Sequence, residues 1–209
     1  LMTASKRVLT AARLDLKRNF LPHLCLALLL VLLTPVLFGL NDLDTQGSAV
    51  PLELMMPLTG ILLLTPIFLP EQDPAVRDVV AVRSVPLWQT YSARALYSLL
   101  FLCLLPALLI LCMGFLRSQV TPDLWLDAVS SSLLLGGLGA LSYTLTDNIA
   151  AAYMVPVLYY VVNFGLGSKL GTFWLFSAMS GSSASKLPQL FLGLLLLAVS
   201  IPFRVHEKA

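Results

Sequence analysis

FLPHLCLALLLVLLTPVLFGL, the stretch Phe20–Leu40, contains no Lys, Arg, Asp or Glu. The hydrocarbon core of a bilayer is about 30 Å thick and needs about 20 helical residues to cross it. This stretch is long enough by itself. Working outward, the same reading repeats at Val50–Pro70, Ala95–Leu116, Leu124–Leu145, Ile149–Leu166 and Leu187–Phe203. Six such stretches in 209 residues leave almost nothing for a soluble domain. The expectation is an all-α integral membrane protein, one transmembrane domain over residues 1–209. Composition points the same way: 11% of residues are charged, where soluble domains carry about 25%.

Charge placement gives an orientation. An even number of spans puts both termini on one side. That side holds Lys6, Arg7, Arg13, Lys17, Arg18, Arg77, Arg83, Arg94, Arg204 and Lys208, while Arg117, Lys169 and Lys186 fall on the other. Basic residues accumulate in cytoplasmic loops, so both termini are expected in the cytoplasm of a plasma membrane, of bacterial type. No small-residue cleavage site follows the first stretch, which is therefore expected to be retained rather than removed as a signal peptide. Cys25, Cys103 and Cys112 lie within apolar spans, where thiols act as small hydrophobes.

Two connections carry more pattern than the rest. The first, Glu71–Arg94, lies on the basic side. Asp73-Pro74 is a helix start, with Asp as cap and Pro at the first helical position. It predicts a short helix over Ala75–Arg83, with Val76, Val80 and Arg83 on one face and Val79 close by. A second start at Ser84-Val85-Pro86 leads into the third span, with Trp88 and Tyr91 at the depth of an aromatic belt. An apolar valine face outside the membrane needs cover, from headgroups or from another protein. The second connection, Gly167–Lys186, mixes Gly and Ser with Phe173, Trp174 and Phe176, and an interfacial or re-entrant helix is expected at Thr172–Met179. The N-terminal segment Thr3–Asn19 sets Val8, Leu9, Ala12 and Leu16 against Arg13, Lys17 and Arg18 at helical spacing. It reads either as a helix in the membrane interface or as a polybasic flank orienting the first span.

Several chemistries lack their residues. The spans hold almost no ionisable groups of the kind an ion-coupled carrier needs near the midplane; Glu53, Asp127 and His23 are expected within headgroup reach, Glu53 and Asp127 at a hydrated mouth. There is no Gly-x-x-x-x-Gly-Lys-Ser/Thr run for nucleotide phosphates. Ser183-Ala-Ser-Lys186 matches the Ser-x-x-Lys of serine acyl-enzymes, but no second motif accompanies it. No catalytic residue, metal ligand or cofactor site is expected, and no nucleic-acid partner. Packing features are richer. Gly136, Gly139 and Ala140 on the fourth span form a small-residue face that lets another helix approach. Pro35, Pro57, Pro66, Pro106, Pro156 and Pro202 distribute breaks over five spans. Tyr143, Tyr153, Tyr159, Tyr160 and Asn163 either line a path or make interhelical hydrogen bonds.

In layout, and in pattern over about 40 residues, the chain resembles the six-span permeases of type-2 ATP-binding-cassette exporters. Three places carry the resemblance: the basic segment Thr3–Asn19, similar to their interfacial entry helix; Glu71-Gln-Asp73-Pro-Ala-Val-Arg77-Asp78-Val-Val-Ala-Val-Arg83-Ser84-Val-Pro86 followed by Arg94; and Gly139-Ala-Leu-Ser142-Tyr-Thr-Leu-Thr146-Asp147-Asn148-Ile-Ala-Ala-Ala152. Arg77-Asp78 stands where the family has Gly-Thr, and Val85 where it has Ser. The resemblance implies a subunit without an ATP site, paired with a cytoplasmic ATPase that binds ATP and Mg. A second permease copy or paralogue would complete the assembly in membrane lipid. Asp73, Val76, Arg77, Val79, Val80 and Arg83 would dock the ATPase, the valines buried in its groove. The apolar spans would suit an amphipathic peptide, a lipid-like molecule or a drug as cargo. The alternative is a membrane partner that moves nothing, such as a sensor or an assembly scaffold.

Overall fold

The computed structural model describes residues 16–71, 87–181 and 186–208. Six helices follow one another: α1 (Leu21–Phe38), α2 (Thr45–Leu64), α3 (Leu87–Phe115), α4 (Pro122–Thr146), α5 (Ile149–Leu166) and α6 (Leu187–Lys208). A π-helical turn, Leu16–Phe20, leads into α1; 3₁₀ segments Thr65–Glu71 and Gly167–Phe173 continue α2 and α5. No strand occurs among the described residues, and all six helices are long and apolar enough to cross a membrane.

Local chemistry moves some boundaries from those expected. α2 starts at Thr45 rather than Val50 because the Asp44 carboxylate accepts the Gly47 N–H at 2.8 Å and caps the helix. It tightens into 3₁₀ geometry at Thr65, where Pro66 and Pro70 remove two N–H donors. α3 begins at Leu87, earlier than Ala95, and α6 runs past Phe203 to Lys208. Of the expected interfacial segment only Leu16–Asn19 is described, within the π turn; Thr3–Asp15 and the expected helix Ala75–Arg83 lie outside the described residues.

The helices are not equivalent. In α4, 72% of the span is buried, against 22% in α1 and 17% in the α5 span. α4 is the central post, packed most heavily on α2 and α6 and then on α5. Glycines permit this. A Cβ on Gly60 of α2 would fall 1.9 Å from the Ser132 carbonyl oxygen of α4, and one on Gly136 would fall 2.6 Å from the Gly60 carbonyl oxygen. On the other flank a Cβ on Gly137 would meet the Gly193 carbonyl oxygen of α6 at 2.8 Å. Backbones this close allow no side chain between them. Hydroxyls in the core spend themselves locally: Ser130, Ser132 and Thr144 donate to carbonyls one turn back at 2.6–2.9 Å. Ser132 also donates to the Met56 carbonyl at 2.7 Å, tying α4 to α2.

The outward faces are aliphatic. Leu29, Leu32 and Val36 on α1, Leu96 and Leu100 on α3, and Val161 on α5 are all exposed. So much continuous apolar surface is unsuited to water and fits lipid. At one end, here the basic end, lie Phe20, Phe68, Tyr91, Asp147 and Arg204. At the opposite end the α1–α2 and α3–α4 connections brace each other. The Ser118 hydroxyl donates to the Leu40 carbonyl at 2.7 Å, and the Gln119 N–H donates to the Leu43 carbonyl at 2.8 Å.

Candidate functional site

Two polar assemblies sit at the two ends of the bundle. At the opposite end, residues 172–181 fold back over α2, α4 and α5. Glu53 of α2, only 1% exposed, is their anchor. The Glu53 carboxylate accepts the Ala178 N–H at 3.0 Å and the Met179 N–H at 2.8 Å, and pairs with Lys186 Nζ. Lys186, 2% exposed, also donates to the Leu175 carbonyl at 2.8 Å. Gln189 of α6 donates to the Thr172 and Trp174 carbonyls at 2.7 and 3.1 Å, while its own amide oxygen accepts from Ser131 of α4. Asn163 of α5 accepts the Leu175 N–H at 2.9 Å, and the Tyr159 hydroxyl donates to the Phe173 carbonyl at 2.8 Å.

This arrangement corrects two expectations. Thr172–Met179 is no helix: the 3₁₀ segment ends at Phe173, Trp174 is extended and turns run on to Gly181. The N–H groups of Ala178 and Met179 are given to Glu53, and the carbonyls of Trp174 and Leu175 are taken by Gln189 and Lys186. A helix would have needed those groups for one another. Nor does Glu53 stand in a hydrated mouth. A buried carboxylate requires compensation, and three donors supply it. Asp127 is half-buried nearby on α4.

Below this cap, Leu175 and Phe176 drop into a small second core with Ile61 of α2 and Leu134 and Leu135 of α4. Tyr153, Tyr159 and Tyr160 of α5 border it. The Phe176 ring lies 5.4 Å from Tyr160 and 4.4 Å from Phe164, and the Tyr160 hydroxyl donates to the Leu54 carbonyl at 2.9 Å.

At the basic end, aromatic and cationic groups interleave. Phe68, at the foot of the 3₁₀ segment, meets Tyr91 of α3 edge-on at 5.0 Å and stacks on Tyr143 of α4 at 6.3 Å. Arg94 donates to the Ile67 carbonyl at 3.0 Å, and its guanidinium lies 5.9 Å from the Tyr91 ring centre. Arg204 of α6, fully buried, covers Tyr143 at 5.0 Å and pairs with Asp147 in the α4–α5 turn. Tyr91 is therefore a core residue, not part of an aromatic belt; Phe68 draws it inward. Trp88, 54% exposed, remains at the surface. A cleft of about 220 Å³ opens beside this cluster, lined by Asn19, Pro22, His23, Pro66, Leu69 and Pro70.

The sequence-derived candidates fall into four places. Asp73, Val76, Arg77, Val79, Val80 and Arg83 lie outside the described residues. Gly136 faces Gly60 and Leu64, Gly139 faces Thr65, and Ala140 is fully buried. Tyr143, 1% exposed, belongs to the main core. Tyr159 and Asn163 hydrogen-bond the cap, and Tyr153 borders the small core beneath it. Sequence reasoning missed Glu53, Lys186, Gln189 and Ser131 as a group. The available signal was an acid and a base at matching depth, at the same ends of the second and sixth spans. The chain matches no protein-family model, no curated protein and no solved structure.

Proposed function

We propose that this chain is the membrane-spanning permease subunit of an ATP-driven exporter. It sits in a plasma membrane with both termini cytoplasmic and is worked by a separate ATPase that binds ATP and Mg. The observation that carries this reading is the pattern Glu71–Arg94, together with what it joins. On one side it continues from the 3₁₀ foot of α2, whose Phe68 is fully buried; on the other it enters α3, whose Arg94 is fastened to the Ile67 carbonyl. In this reading a force applied to residues 72–86 is received by α2 and α3 at a packed junction. From α2 it passes to α4 through the Gly60–Gly136 crossing, where the backbones touch. By sequence spacing, Val76 and Val80, with Val79 close by, would supply apolar anchors of the kind on which a docking interface depends.

In this reading the ATPase receives Asp73–Arg83, and a second permease copy or a paralogue completes the path. The cargo is an amphipathic peptide, lipid-like molecule or drug. The test is reconstitution of the chain with its co-purifying ATPase in lipid vesicles. Solute movement that needs ATP hydrolysis supports the reading; hydrolysis that never moves a solute overturns it.

A further inference from the structure

The cap between α5 and α6 is bracketed by two glycines in conformations that side chains disfavour: Gly171 at φ 56°, ψ −126°, and Gly181 at φ 76°. Both permit sharp changes of chain direction that other residues resist. Between them, the backbone groups that would make a self-supporting helix are held by side chains from other elements. Two N–H groups and the Lys186 ammonium converge on one carboxylate, that of Glu53. Leu175 and Phe176, both essentially unexposed, fill the space between α2, α4 and α5.

From this geometry we infer that residues 172–180 form a plug latched by Glu53. Release of the carboxylate lets the segment lift about Gly171 and Gly181. Leu175 and Phe176 then withdraw, uncovering a recess lined by Ile61, Leu134, Leu135 and Tyr160. Charge makes this a latch rather than ordinary packing. Glu53 and Lys186 are each other's counter-ion in the apolar interior, so losing either the carboxylate or the ammonium leaves a buried charge without its counter-ion, which favours opening to water. Withdrawal exposes aliphatic and aromatic surface, which suits an apolar or aromatic group of a passing solute. That last step, the plug as the far door of an export path, rests on the permease reading; the latch itself does not.

The experiment uses the whole chain in lipid nanodiscs, with Cys25, Cys103 and Cys112 replaced by Ala. Ser177, 2% exposed, becomes the reporter as Ser177→Cys, a near-isosteric change, and Ser180→Cys is the exposed control. The rate of labelling by a charged maleimide is read in the reporter chain alone, then with Glu53→Gln and with Lys186→Met. Amide exchange at Ala178 and Met179 is followed in parallel, so that the result does not rest on one variant surviving purification. A latch gives at least tenfold faster labelling of the reporter thiol and faster exchange at both amides in each variant, with the Ser180→Cys rate unchanged. Unchanged reporter labelling and unchanged exchange in chains that elute as the parent does overturn the latch. In a separate arm the Ser177→Cys reporter chain, with Glu53 and Lys186 intact, is supplied with its ATPase and ATP. Faster reporter labelling there ties the latch to export, whereas no acceleration counts against the permease reading while leaving the latch result standing.

Discussion

In Gly60→Ala, the added Cβ would lie 1.9 Å from the Ser132 carbonyl oxygen, 2.5 Å from its carbon and 2.8 Å from its Cα. Comfortable carbon–oxygen contact begins at about 3.3 Å. All three obstacles are backbone, so no rotamer change relieves them, and α2 must separate from α4 by more than about 1 Å. A radial gap of about 0.5–1 Å already forfeits a quarter to a half of each dispersion well along the seam. That seam holds Met56, Leu63, Leu64 and Leu133, all essentially unexposed. Overpacking a well-filled core typically costs about 1–3 kcal/mol, and a clash with backbone belongs at or above the top of that range. We therefore expect Gly60→Ala to lose about 3 kcal/mol or more. Gly114→Ala on α3 and Gly165→Ala on α5 are the counterparts: neither added Cβ has a neighbour within 4 Å. They should be neutral or gain up to about 0.5–1 kcal/mol from the stiffer helix. Reversible unfolding in mixed micelles, titrated with a denaturing detergent, measures all three on one scale. If Gly60→Ala proves as stable as Gly114→Ala, the close α2–α4 crossing is wrong, and with it the route proposed for force from residues 72–86 to α4.

Other expectations follow from the same contacts. Ser132→Ala removes the hydroxyl that reaches the Met56 carbonyl and should cost about 1 kcal/mol in the same titration. Asp147→Ala leaves the buried Arg204 guanidinium without its carboxylate. Because Asp147 is half-exposed, the loss should be about 2 kcal/mol, below that of a fully buried pair. Asp147→Asn, which still accepts a hydrogen bond, should lose less. Val80→Asp should leave unfolding unchanged while abolishing ATPase association, read by pull-down from detergent extracts.

The helices were legible because their signal is redundant. A stretch such as Phe20–Leu40 offers no alternative to a buried or lipid-facing helix, and the glycines of α4 announce a close approach without naming the partner. Gly60 and Gly193, which complete that approach, sit singly among larger residues and leave no local mark. Legibility failed where side chains far apart in sequence replace local hydrogen bonding. Nothing near Thr172–Met179 says that Glu53, more than a hundred positions earlier, will take its N–H groups, so its aromatics read as an interfacial helix. Tyr91 misleads for a related reason: burial at a helix start depends on Phe68 and Tyr143 across the bundle.

The most direct measurement takes the tagged chain from its own cell membranes in mild detergent and asks what comes with it. An ATP-binding-cassette ATPase is expected in stoichiometric amount, joined to position 80 by a photo-crosslinker and lost from Val80→Asp. Purification of a folded chain with no ATPase, or crosslinks from position 80 that never reach one, would contradict the permease reading.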